Sequence, residues 1–535
     1  MEIKGKRILI TCREDDSRPF YFLIKDWMKY NEVAAYFIKA SESGFKKNPS
    51  NESTYYAFKK NISLKVYDVN SIAEIFINIR NDDNVIDQFF LEKIEKEYTH
   101  FKNINTQIIS SQSFNRHYHY RYFWSSCTYQ QQLNWLILCY KDALKVLDEF
   151  QPDVVINTDS DEISRNALRE ICYKRDIPNV TLDFPRFDDY LIYTYNLGNS
   201  VNIKFEEYFK SCEIGNKIDL STEVKYVEDY RKKAEIKNKS SVNSIDYQYY
   251  PESFLKVVKF WAHFIILLFK QDVIAGNWKI KRSNQILYPS TMGYIKYFLH
   301  YTYYKQRLMR RNKMFQVPRN DERYVYMPLH LIPESTTSIL TPFYVNELSV
   351  IEAVSKSLPA GWMLYVKEHQ AMIGERSIEF YKAVNRLPNA KMVQLNYYND
   401  PKPWITKSQG VVTLSGTAAY EAAMLGKHAV VFSNVPFSLI EGIHRVDSFE
   451  DLPRILKSFV SPLNNIKSCA SYLRTVKEFG ERVDFVNLNK ACYQAISNDE
   501  ELDESCMNKI NYALLLSMNE INSLESLFAK SIINY

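Results

Sequence analysis

Glycine is scarce in this chain, 13 residues in 535, while Lys, Asn and Ile are abundant. That imbalance reads as coding bias from an AT-rich genome and carries little functional weight. The 8 cysteines (Cys12, Cys127, Cys139, Cys172, Cys212, Cys469, Cys492, Cys506) are scattered, with no CxxC pair and no cluster. Metal sites need ligands at short, repeated spacings, so no metal is expected. An exported chain would tend to pair its cysteines, and their scatter favours a reducing cytosol. Long apolar runs are missing too. The longest one near the middle, Phe264 to Phe269, falls far short of the roughly 20 residues that span a bilayer. The opening MEIKGKRILITC lacks the apolar core and cleavage site of a signal peptide, so the expectation is a protein neither exported nor integral. No internal repeat or low-complexity tract is visible.

What the chain does have is the balance of a folded protein, 46% hydrophobic and 24% charged, with 40 Tyr and 31 Phe. Its length calls for two or three domains. The net charge of +5 is unevenly placed. From Phe254 to Arg319 there are 13 Lys and Arg against one acid, Asp272, a local +12 that leaves −7 for the remainder.

Two stretches alternate strand and helix. In 1–250, short apolar strands at Arg7–Thr11, Leu64–Val69, Pro152–Asn157 and Ile177–Leu182 are interleaved with helical periodicity at Phe20–Tyr30, Gln131–Phe150 and Ser164–Arg175. In 321–460, strands are expected at Tyr324–Leu329, Met363–Lys367, Val393–Leu395, Gly410–Thr413 and Ala429–Phe432, with helices at Val345–Leu358 and Ser415–Leu425. Such alternation predicts two doubly wound Rossmann-type α/β domains facing across a cleft, with ligands beyond the carboxyl ends of the strands. Residues 251–320 read as a basic, aromatic-rich helical linker, and 461–535 as C-terminal helices.

Polar strings stand at those strand ends. After one strand, Ser415, Gly416 and Thr417 open a helix whose first N–H groups and dipole can hold a phosphate, with Glu421 one turn further in; an ordinary N-cap uses the same residues. Lys367, Glu368 and His369 follow another strand, where a histidine can bind phosphate or assist a departing nucleotide; a charged surface turn is the plain alternative. His330 and Glu334 are candidates for acid or base, or for a capping arrangement. Asp159 and Asp161, in the string Asn157 to Glu162, can face the gap from the opposite wall and take a proton from an acceptor hydroxyl; an acidic helix start looks the same. Within the linker, Phe254, Val257, Val258, Trp261, Phe264, Ile265 and Leu268 recur at helical spacing among Lys256, Lys259 and Lys270. That pattern suits an anionic membrane surface, while an anionic polymer or a packed stripe with solvated cations would share it.

The 321–460 block resembles the capsule polysaccharide biosynthesis family, which includes the bacterial Kdo transferases. The matching strings are Leu329-His330, Pro333 to Thr336, Leu358-Pro359 and Leu364 to His369. Arg376, Phe380-Tyr381, Leu387 to Asn389, Thr413, Gly416-Thr417, Glu421-Ala422 and Gly426-Lys427 continue the match in order. The resemblance implies a GT-B glycosyltransferase that needs no metal or other cofactor, its nucleotide-sugar donor held by the C-terminal domain and carrying a CMP-activated acidic sugar. It also implies that His369 contacts donor phosphate and that Ser415, Gly416 and Thr417 form the phosphate-binding helix start. Two positions depart from the family pattern: Gln370 follows His369 where the family has proline, and His428 follows Gly426-Lys427.

The expected activity is sugar transfer to a lipid-linked surface glycan, capsule or O-antigen, by a cytoplasmic protein peripheral on the inner face of the plasma membrane. Nucleic acid is not an expected partner. A polyol-phosphate transferase of the teichoic-acid type and an inactive GT-B scaffold are the alternatives.

Overall fold

The computed structural model describes residues 4–12, 17–37, 49–61, 63–69, 86–111, 128–157, 163–194, 203–215, 218–240, 253–274, 291–310, 314–332, 334–395, 401–497 and 519–531, with positions 72, 75, 76, 276, 278 and 398 besides. Thirteen strands among these residues form two sheets.

The first sheet contains β1 (Arg7–Cys12), β2 (Glu32–Phe37), β3 (Lys65–Asp68), β4 (Val154–Asn157), β5 (Asn179–Asp183), β6 (Tyr190–Thr194) and β13 (Glu481–Arg482), in the order β13-β6-β5-β4-β1-β2-β3. Neighbours from β3 to β5 run parallel, whereas β6 and β13 are antiparallel. The second sheet contains β7 (Arg323–Pro328), β8 (Trp362–Lys367), β9 (Ala390–Met392), β10 (Gly410–Val412), β11 (His428–Val431) and β12 (Ile443–Arg445), ordered β12-β11-β10-β7-β8-β9. All its pairs are parallel. Read from β7, the strands stand 3-2-1-4-5-6, the Rossmann order, and the direction of winding reverses between β7 and β10. Two doubly wound Rossmann-type domains are therefore present, as the alternation implied, in the two-domain plan that the resemblance implied.

Near-continuous apolar strands such as Val325 to Met327 and Val411-Val412 are buried on both faces, as a parallel sheet clad by helices requires. One layer packs Val325, Met327, Leu364, Val366 and Val412 against Val350, Val354, Tyr381 and Val384. The six described cysteines are buried free thiols.

Several expectations shift in detail. The strand expected at Val393–Leu395 lies three residues earlier, at β9, with Val393 only bridging to Gln316. β2 went unread because Ala34 and Ala35 dilute its β-branched signal. The 461–535 segment, expected as helices alone, also contributes β13, which pairs with β6 and so joins the first sheet. Its later helices, 485–497 and 519–531, put Leu488, Cys492, Leu524 and Phe528 into one core with Ile8, Phe20 and Trp27 of the N-terminal stretch. Helices 203–214 and 221–240 contribute Phe205, Phe209 and Val227 to a core shared with Tyr420, Met424 and Tyr472 of the second unit.

Phe528 is fully buried, with its ring 5.4 Å from Phe20 and 6.0 Å from Trp27. Phe528→Ala should cost about 3–5 kcal/mol by opening a cavity beneath the first sheet. Urea unfolding followed by fluorescence checks this; an unchanged midpoint would mean that the terminal helix is not part of that core.

Candidate active site

The carboxyl ends of β7, β8 and β10 carry three loops that meet at the point where the winding reverses. The β7 loop contains His330 and Glu334, the β8 loop contains Glu368 and His369, and the β10 turn contains Thr413 to Gly416. Buried polar contacts tie all three together.

His330 joins the first loop to the third. Its Nδ1 lies 2.9 Å from Glu347 Oε1, and its Nε2 lies 2.8 Å from Thr413 Oγ1. The His330 backbone N–H also donates to Glu347 Oε1 at 2.8 Å. A carboxylate on Nδ1 calls for a proton there, so Nε2 accepts from the Thr413 hydroxyl. Thr413 Oγ1 in turn accepts the Gly416 N–H at 3.2 Å. Both ring nitrogens are thus bonded inside the fold, and His330 positions the β10 turn.

Arg376 joins the first loop to the second. Buried between two carboxylates, it donates from Nη1 to Glu368 Oε1 at 2.5 Å, from Nη2 to the His330 carbonyl at 2.8 Å, and from Nη2 to Glu347. Glu368 also accepts from the Tyr381 hydroxyl at 2.7 Å and from the His369 N–H at 2.6 Å. Its oxygens are consumed within the fold, so Glu368 is corrected from donor ligand to anchor of the β8 loop. Burial pushes the Glu347 carboxyl up, but Arg376 and the His330 hydrogen bonds more than offset this and hold it below its ordinary value. Burial keeps Glu368 above its own, with Arg376 and Tyr381 offsetting only part.

The helix Thr417–Met424 starts at this junction. Its N-cap is Gly416, and no side chain caps the first turn. The hydroxyls that would serve as caps are turned elsewhere, Thr413 to His330 and Ser415 to the Thr336 carbonyl at 2.8 Å. Glycine is itself an accepted N-cap residue, so the turn is compatible with both readings of the string. The N–H groups of Thr417 and Ala418 are left with the positive end of the helix dipole and no capping side chain. Gly416 has an ordinary φ of −77°, yet a Cβ there would stand 2.5 Å from Thr413 Oγ1 and 3.1 Å from His330 Nε2. The requirement for glycine is close packing.

His369 caps the short turn Gln370–Met372, its Nδ1 accepting the Ala371 N–H at 3.2 Å. That contact assigns the ring proton of the neutral form to Nε2. Burial, reinforced by Arg376, holds its pKa below the usual 6.5, and the Glu334 charge opposes this. Half-buried Lys367, at the end of β8, is likewise lowered by burial, with Glu368 opposing. Glu334 is partly buried, and its carboxylate accepts the Thr336 hydroxyl at 2.9 Å. Its carbonyl accepts the Thr337 and Ser338 N–H groups and the Thr337 hydroxyl, closing the short turn Ser335–Ser338. Glu421 is half-buried one turn into the helix, and its charge adds to burial in raising the Tyr326 phenol. Asp159 and Asp161 lie outside the described residues.

Glu347 was not read as a site residue, and Arg376 and Thr413 stood in the matching strings without a role. Arg376 stands eight residues past Glu368, across a loop, a separation to which no helical or strand period attaches. Lys102, on the other unit, was missed as well. Its Nζ donates to the Ser338 carbonyl at 2.8 Å, in the loop that contains Thr336. Glu170 accepts the backbone N–H groups of His100, Phe101 and Lys102 at 2.9, 3.3 and 3.1 Å, which shapes the segment that presents this lysine. Burial raises the Glu170 carboxyl to about 7.

The fold and site define a two-domain Rossmann protein with an open helix start at the switch point of its second sheet. No family model matches the chain, and no curated protein does. Among solved structures it is similar to the Thermosulfurimonas dismutans KpsC, a beta Kdo 2,7 transferase. That likeness has 8% identity over 64% of this chain and 82% of the other, with a TM-score of 0.32. It is similar also to the UDP-GlcNAc 2-epimerase of Methanocaldococcus jannaschii, with 11% identity over 88% and 99% of the two chains and a TM-score of 0.23. The UDP-GlcNAc 2-epimerase of Neisseria meningitidis bound to UDP-GlcNAc shows 10% identity over 88% and 98%, with a TM-score of 0.21. At these identities and scores the likenesses decide nothing about chemistry.

Two outcomes are expected here. Arg376→Met strands two buried carboxylates and should cost about 3–5 kcal/mol, read as a lowered midpoint in chemical denaturation. For His369, a proton NMR titration should give a midpoint below 6.5 in the free protein. Since the unfolded ring takes its proton at higher pH than the folded one, this group's contribution to stability is present above about 6.5 and shrinks as pH falls below it. A midpoint at or above 6.5 would contradict the burial described.

Proposed function

We propose that this chain is a metal-independent glycosyltransferase that moves a sugar from a nucleotide donor onto a glycan acceptor. The observation that carries the proposal is the uncapped helix start at Gly416, at the switch point of a Rossmann sheet, with its neighbouring hydroxyls diverted to hold the loops rather than the helix.

In this reading the N–H groups of Thr417 and Ala418 take the donor phosphate. The Nε2–H of His369 donates to the same anion, and the Lys367 ammonium adds charge. As the glycosidic bond to the nucleotide breaks, negative charge builds on the departing phosphate, and fixed donors there lower the barrier most. The acceptor hydroxyl must lose a proton, and Glu334, Asp159 and Asp161 are the carboxylates proposed for it. The finer part of the reading, resting on the string resemblance, is a CMP-activated acidic sugar and a lipid-linked surface polysaccharide as acceptor. A lipid-linked acceptor puts the enzyme at the inner face of the plasma membrane.

A thermal-shift and calorimetric screen of CMP, UDP, GDP and their sugars tests this. At least one nucleotide should bind, and Gly416→Ala should weaken it about tenfold or more through the Cβ collision with Thr413 and His330. His369→Ala should lower the transfer rate about 10²-fold while leaving the fold intact. A screen in which no nucleotide binds would remove the proposal, and phosphorus in the transferred group would replace it with polyol-phosphate transfer.

A further inference from the structure

The helix Phe254–Leu268 has no buried residue, although its sequence is mostly apolar. Three adjoining sectors bear on the surface, with Phe260 and Leu267, each 40% exposed, on the remaining side. Val257, Trp261, Phe264 and Leu268 are half-buried and face the helix Thr291–Arg310, with the Phe264 ring 4.6 Å from that of Phe298. Next to them, across roughly 120° of the helix, are Phe254, Ile265, Val258, Leu255 and Ile266. They are between 45% and 78% exposed, and Phe269 extends the face at 56%. Beyond them stand exposed Lys259, His263 and Lys256. The stripe seen in the sequence is therefore split: part packs on the protein, and part points outward. Burying such an exposed apolar face is worth roughly 25 cal/mol per Å², so a folded protein that leaves it bare has something to set against it.

Charge selects the occupant. Between Phe254 and Arg319 the one acid is Asp272, and it is buried. An apolar face bordered by cations with no exposed carboxylate matches an anionic lipid surface, where tails take the apolar residues and headgroups the lysines. No helix among the described residues is long and apolar enough to cross a membrane, so the helix would lie in the interface rather than span it.

Helix Thr291–Arg310, on which this face rests, also holds the loop of the candidate site. Buried Tyr297 hydrogen-bonds Glu375, the neighbour of Arg376. Gly374, at φ +93°, lies so close that a Cβ would stand 2.9 Å from Lys305 Cβ and 3.1 Å from the Tyr301 carbonyl. Leu308 is buried in the second domain's core. The outward face is thus one helix away from the loop that presents His369.

We infer that the outward face of Phe254–Leu268 docks in the plane of an anionic lipid bilayer and that the helix pair fixes the candidate site at a set distance from that surface, so that the acceptor is a lipid-borne glycan. The acceptor clause rests on the sugar-transfer reading, whereas the docking does not.

Sedimentation of the full chain with phosphatidylcholine vesicles, with and without phosphatidylglycerol, tests it. Binding is expected to the anionic vesicles, falling about tenfold or more at high salt. The double variant Val258→Glu, Ile265→Glu, changed only at exposed positions, should lose about tenfold or more of that binding with nucleotide affinity unaltered. Absence of vesicle binding at every salt concentration overturns the inference, as does a self-associated chain that the double variant disperses, which would make a second copy the occupant. Nucleotide affinity is read without lipid: if vesicles bind and no nucleotide does, the docking stands while sugar transfer and its acceptor clause fall.

Discussion

The second domain depends on one buried guanidinium. Arg376 holds Glu347 and Glu368 apart and adds a hydrogen bond to the His330 carbonyl, so two strand-end loops converge on a single side chain. Two carboxylates buried side by side would repel strongly, and one cation between them turns that repulsion into a clamp. From Glu347 the order passes through His330 to Thr413 and on to the Gly416 N–H. Every group in this relay is spent on structure. What remains at its end is a helix start with open N–H groups, held rigidly by a network that competes for none of them.

Among the described residues, side chains of the first unit reach this clamp and the helix it opens. Lys102 reaches from the first unit to the Ser338 carbonyl, on the turn whose Thr336 carbonyl receives Ser415. Arg231, on the helix Ser221–Ser240, donates to the Met424 and Ala423 carbonyls at the far end of the helix that starts at Gly416. One helix is thus fixed at both termini by residues distant in sequence. The chain's return to the first sheet through β13 and the terminal helices also ties the two units by their covalent path.

How much was legible follows from range. The parallel strands and their flanking helices were readable because a run such as Tyr324-Val-Tyr-Met carries its burial pattern within itself, and the Ser-Gly-Thr helix start has a local signature. β13 was not readable, since two residues that pair with Tyr190 and Leu191 across almost three hundred positions show no periodicity. Glu368 and His330 were recognised as polar groups at strand ends but read as facing outward. The partner that turns Glu368 inward, Arg376, sits on a separate loop, and the sequence records its presence without its direction. Ser415 shows the same limit: the residue type predicts a hydroxyl at a helix start and cannot say that the hydroxyl leaves for Thr336.

Foldable sequences satisfy local rules, and the places where they break them point to function. This chain breaks two. It opens a helix on Gly416 with no side-chain cap although Thr413, Ser415 and Thr417 are at hand, forgoing about a few tenths of a kcal/mol. It also leaves Phe254, Leu255 and Ile265 in water on a helix that could have carried polar residues at no cost to its packing. A helix start without its cap is better matched by an anion than by solvent, and a bare apolar face by lipid or protein. Helix Thr291–Arg310 packs on the β8 loop at Gly374 and on the apolar helix at Phe298. An anion at the helix start and a lipid surface at the apolar face would each satisfy what the fold leaves open.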